Sequence, residues 1–153
     1  MRRAVVAAVL FQAAVVQVWA AEPLVGTWRL QRQEVNGEKT NSEPLTLRVS
    51  QSGDKLAFAF SVPVNNIDFV SMSYTVRLDG TEADVKNAQG EKIGIIKITP
   101  AGAWQYALTI EGANRPKSSG KLTVSPDGKT LTSESDSQQA GRSIHSKQSF
   151  SRD

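Results

Sequence analysis

Val70-Ser71-Met72-Ser73-Tyr74-Thr75-Val76-Arg77-Leu78 is the stretch that decides the fold. Apolar side chains fall on every second position, with small polar or charged ones between them, which is the pattern of a strand with one buried face. Asp79-Gly80 follows, a dipeptide suited to a tight turn because glycine tolerates positive φ.

The same period continues in both directions. Upstream, Leu45, Leu47 and Val49 alternate with Thr46 and Arg48. Gly53-Asp54 then turns the chain into Leu56, Phe58, Phe60 and Val62, which are separated by small residues. These two runs predict a hairpin. Downstream, Ile93–Thr99 is apolar on both faces except Lys97. After Pro100-Ala101-Gly102, the row Trp104, Tyr106, Leu108 and Ile110 alternates with Gln105, Ala107 and Thr109. Lys121–Val124 leads through Ser125-Pro126-Asp127-Gly128-Lys129 into Thr130–Thr132, with proline and glycine setting the turn. A last strand is expected from Arg142 to Phe150, a first from Val25 to Val35 ahead of Asn36-Gly37, and a weak one over Thr81–Lys86. Val64–Asp68 reads as a short irregular turn, and no segment carries a helical period.

Roughly eight to ten antiparallel strands in one chain of this length must stack as two sheets or curl into one. The thin strands late in the chain, where Leu131 is almost alone and the last strand offers chiefly Ile144 and Phe150, suit a barrel wall better than a sandwich core. The expectation is an all-β, single antiparallel up-and-down barrel spanning residues 21–153.

The first twenty residues differ from the rest. Met1-Arg2-Arg3 is followed by an apolar run to Trp19, broken only by Gln12 and Gln17, and by Val18-Trp19-Ala20 before Ala21-Glu22-Pro23. Residues 1–20 read as a secretory signal peptide cut after Ala20, which places the protein outside the cytoplasm, secreted or periplasmic. The competing reading is an uncleaved anchor. After cleavage no transmembrane segment is expected.

Composition excludes several functions. The chain has 153 residues, a formal net charge of +3 and no cysteine. Without Arg2 and Arg3 the charge falls to +1, which disfavours a general nucleic-acid binder. The missing thiols exclude cysteine catalysis, disulfides and cysteine-type zinc sites. The single histidine, His145, lies near Ser143 with no nucleophile elbow and reads as solvent-facing. Glu82 and Asp84 share a strand face but match no calcium loop. Gly112, Gly120 and Gly128 read as isolated turn residues, so no phosphate loop and no nucleotide cofactor are expected. The basic, loop-like Asn114-Arg115-Pro116-Lys117 reads as a solvated surface. No catalytic residue, metal site or cofactor is predicted.

The informative side chains are those on the apolar rows: Phe58, Phe60, Met72, Tyr74, Trp104 and Tyr106. In a closed sheet they converge on one interior, which either packs solid or holds a small ligand. Two functions follow. The first is a non-catalytic barrel enclosing a small apolar or amphipathic molecule, oriented by tyrosine, serine or threonine hydroxyls. The second is a filled scaffold that presents Val64–Asp68 or Asn114–Gly120 to an envelope protein.

Leu24-Val25-Gly26-Thr27-Trp28-Arg29-Leu30, a Gly-x-Trp motif directly after the leader, resembles the opening of the calycin superfamily, which comprises lipocalins, fatty-acid-binding proteins and bacterial lipocalin-like domains. Ser125–Thr132 is similar to a late hairpin of small exported bacterial proteins with this opening. The resemblance implies a lipocalin-like barrel whose closed end is plugged by Trp28. It also implies a basic partner stacked on that ring from the final strand, with Arg142, Lys147 and Arg152 as candidates.

Overall fold

The computed structural model describes residues 22–153, so the proposed leader, residues 1–20, lies outside the described residues. Eleven strands form one antiparallel sheet: β1 (Gly26–Val35), β2 (Glu38–Thr40), β3 (Thr46–Ser52), β4 (Lys55–Val64), β5 (Ile67–Arg77), β6 (Ala83–Asn87), β7 (Lys92–Gly102), β8 (Gln105–Gly112), β9 (Arg115–Val124), β10 (Thr130–Gln139) and β11 (Arg142–Arg152). Each strand from β3 to β11 pairs with the next in sequence, β3 pairs with β1, and β11 closes the circle on β1. The result is a ten-stranded up-and-down barrel. Strand β2 is a short flap paired only to the end of β1. Closure leaves the long strands without a free edge over most of their length. Among the described residues, all strand pairings belong to this one sheet and the core lies inside it.

Three of the hairpins close through two residues with positive φ: Asn36-Gly37, Asn65-Asn66 and Ala140-Gly141. Such turns match the twist of the strands they join. Single-residue register shifts at Gln31 in β1, Ser71 in β5 and Ala101 in β7 add the local bending that a closed sheet needs. In mid-β9, Gly120 is a further bending point, because a Cβ there would overlap the Glu134 carbonyl of β10. It is a strand residue, and the reading of Gly120 as a turn is corrected.

Other expectations are corrected as well. Val64–Asp68 is not an irregular turn, since only Asn65 and Asn66 turn while Val64 and Ile67 pair directly. Asn114–Gly120 is not a loop, because β9 begins at Arg115. Strands β9 and β10 extend well beyond the segments that their apolar residues marked. Neighbouring strands supply that pairing where the sequence offers little hydrophobic signal.

One end of the barrel is solid. Trp28 is fully buried, in one core cluster with Leu24, Leu56, Val76, Leu131 and Phe150. Its indole Nε1 donates to the Leu24 carbonyl at 2.8 Å. The Arg152 guanidinium carbon lies 4.2 Å from the ring centroid, a cation–π contact. The same guanidinium donates to the Gly128, Val25 and Pro23 carbonyls at 2.6–2.7 Å. Of the three basic candidates, Arg152 is the one stacked on Trp28.

Candidate functional site

Burial falls steadily along the inward rows away from Trp28. On β4, Leu56 and Phe58 are buried, Phe60 is half-buried and Val64 is exposed. On β5, Val76 and Tyr74 are buried, Met72 is half-buried, and Phe69 and Ile67 are exposed. The barrel therefore has a floor and a mouth, with an internal cavity of about 260 Å³ between them.

The cavity wall has two halves. Strands β3 to β8 contribute Leu47, Phe58, Phe60, Met72, Tyr74, Ile96, Leu108 and Ile110. Strands β9 to β11 contribute Ser118, Ser133, Ser135 and Gln148, above Leu122, Leu131 and Phe150. Gln148 is braced by Gln33 of β1, its Nε2 donating to Oε1 at 3.3 Å. Among the described residues, Arg115 is the only charged one in the lining. It stands at the start of β9, on the mouth side.

Phe58, Phe60, Met72 and Tyr74 are thus brought together on one wall. Phe58 and Tyr74 stack at 4.8 Å between centroids, and Phe60 lies 5.9 Å from Tyr74 at a tilt of 43°. Neither of the other two predicted lining residues borders this space. Tyr106 is buried toward the floor, where its hydroxyl donates to the Glu22 carboxylate at 3.0 Å. Trp104 is 40 % exposed. The β7–β8 turn falls on Ala103-Trp104, where Trp104 adopts φ +60° and leaves the inward row. The sequence points to serine or threonine hydroxyls around a guest without placing them, because the inward rows are traced by their apolar residues. Ser133 and Ser135 share the parity of Leu131, and Gln148 shares that of Phe150, so period two alone was enough to find them.

Burial pushes the Tyr74 phenol well above its ordinary range. Tyr106 is raised as well, by burial first and then by its bond to Glu22 and that residue's charge. The unfolded chain releases these protons near pH 10, about the ordinary tyrosine value, whereas the folded barrel retains them. Stability is therefore expected to be intact below about pH 10 and to fall as pH rises beyond it. Urea midpoints measured across that range check this, and Tyr74→Phe should flatten the fall.

Elsewhere the polar groups pair among themselves. His145 lies on the outer wall, with Nδ1 2.7 Å from Asp136. Glu82 and Asp84 pair with Lys97 and Lys92. They border an outer depression between β5 and β6 of about 540 Å³; it is open and charged, so it cannot desolvate a guest. Among the described residues no group of three potential metal ligands occurs.

No protein-family model matches the sequence, and no curated protein matches it. Among solved structures, zebrafish ileal bile acid-binding protein, crystallised in complex with cholic acid, is similar with a TM-score of 0.60 and 16 % identity, over 86 % of this chain and 99 % of that one. The fold is a calycin-type barrel. Within it, the plugged floor at Trp28 and the divided wall above define the candidate site.

Proposed function

We propose that this protein is an exported, non-catalytic calycin-type barrel that holds a small amphipathic molecule in its interior. The observation that carries this reading is the two-sided cavity. The aromatic and aliphatic wall of β3 to β8 takes the guest's apolar face, and the hydroxyls and amide of Ser118, Ser133, Ser135 and Gln148 take its polar groups. At about 260 Å³ the cavity is slightly below the usual range of roughly 300–1,000 Å³ for small-molecule sites. A small guest fits inside, and a longer one protrudes past Arg115. The fold likeness to a protein crystallised with cholic acid supports a guest of this amphipathic class. Among the described residues Arg115 alone in the lining is charged, so they place no acid–base pair of charged groups against the guest. Export, to the periplasm or the exterior, rests on the leader-like residues 1–20.

The test is titration of residues 21–153 with an anilinonaphthalene sulfonate dye, which joins apolar rings to one anionic group. Emission should rise to saturation at one dye per barrel, and cholate should displace the dye. A folded barrel that leaves the dye unchanged would overturn the reading.

A further inference from the structure

The polarity of the cavity is divided along its length and not across it. On β10, Leu131, Ser133, Ser135 and Ser137 take one face at every second position, climbing from floor to mouth. Ser133 pairs with Gln148 of β11, one step above the floor pair of Leu131 and Phe150. Ser135 follows, and Ser137 pairs with Ser118 of β9. Ser133 and Ser137 are separated by roughly 13 Å of strand. The apolar wall climbs beside them. Phe58 pairs with Tyr74 and Phe60 with Met72, on the two steps above Leu56 and Val76, and all four border the same cavity as the serines at 118, 133 and 135.

A site for a lipid with one polar head and a hydrocarbon tail carries its polar groups at one end. Here the deepest polar pair, Ser133 and Gln148, stands directly above the apolar floor. A lipid entering tail first strips water from that hydroxyl and amide without replacing their hydrogen bonds. One entering head first sets its head beside the stacked rings of Phe58 and Tyr74 and its tail along Ser135 and Ser118. Both orientations leave polar groups against hydrocarbon. The serines and Gln148 are also uncharged, whereas Arg115 and Arg142 open β9 and β11 at the mouth. An ionised group on the guest therefore belongs at the mouth, and uncharged hydroxyl, ether or amide groups belong deeper.

We infer that the guest is a facial amphiphile, a rigid molecule with uncharged hydrogen-bonding groups along one long side and hydrocarbon along the other. A stiff frame holds its polar groups to one side without the entropy that a flexible chain loses on ordering. Ser133, Ser135 and Gln148 are the residues that set this specificity. The inference rests on the binding role proposed above and narrows it to one class of guest.

The experiment compares cholate with cholanate, the same steroid acid without hydroxyls, by displacement of the anilinonaphthalene sulfonate dye from residues 21–153. The two share one frame and one carboxylate, and the hydroxyls of cholate all lie on one face. Cholate should bind at least about tenfold tighter, against the order that apolar area alone gives, since one satisfied hydrogen bond is worth about that factor. The double variant Ser133→Ala/Ser135→Ala should reverse the order, weakening cholate at least about tenfold and tightening cholanate. Circular dichroism checks that this variant keeps its strands. Three results would overturn the inference and leave the binding role standing: cholanate bound as tightly as cholate, a folded variant that keeps the preference for cholate, or bound dye that neither steroid displaces. A folded barrel that binds no dye overturns the binding role as well.

Discussion

Trp28→Ala is expected to lower the unfolding free energy by about 3–5 kcal/mol, the cost of truncating a fully buried large aromatic. The side chain has no exposed surface, and three features are lost with it: the core contacts at the floor, the indole bond to the Leu24 carbonyl, and the face on which Arg152 rests. Arg152 ties the N-terminal Pro23 and Val25 and the β9–β10 turn at Gly128 to the last strand. Arg152→Met should therefore cost about 2 kcal/mol, chiefly by leaving three carbonyls without their charged donor. The double variant should cost less than the sum, because the two share one contact. Urea unfolding followed by circular dichroism checks this without relying on the missing fluorophore. A loss under about 0.5 kcal/mol for Trp28→Ala would contradict a sealed floor.

Ser135→Phe is expected to weaken dye binding at least about 100-fold while leaving the barrel folded. Ser135 faces the cavity from the middle of β10, opposite Gly120 and Ser146, where no bulky side chain opposes an added ring. The ring fills space that the guest needs and covers the polar wall. Filling a cavity commonly adds about 0.5–2 kcal/mol of stability, so affinity and stability should move in opposite directions. Unchanged affinity would place the dye elsewhere, with exposed Val64, Ile67 and Phe69 at the mouth the first alternative.

Much of this molecule follows from alternation. The rows at Leu45–Val49, Leu56–Val62 and Val70–Leu78 are strands because one face must be buried, and their turns carry residues that accept positive φ. Legibility fails where partners rather than residues make the strand. Arg115–Ser119 has no apolar row of its own, yet it is held between β8 and β10. Trp104 keeps the parity of its row but precedes β8 as a turn residue with φ +60°, and alternation carries no signal of where a strand starts. The polar wall is legible in kind but not in place, because an inward row is traced by its apolar members while a hollow interior also takes polar ones. Arg152 was resolvable by parity, since it follows Phe150 by two and joins the same face at the floor. Arg142 has that parity at the mouth, and Lys147 has the opposite parity.

Met72 is the only methionine between residues 21 and 153, and it lines the cavity. A sample labelled with ¹³C at the methionine methyl therefore gives one signal from inside the barrel. Titration with cholate should shift that signal and saturate at one equivalent. Cholate that binds while the Met72 methyl stays fixed, or that does not bind the folded chain at all, would contradict an interior built for a guest.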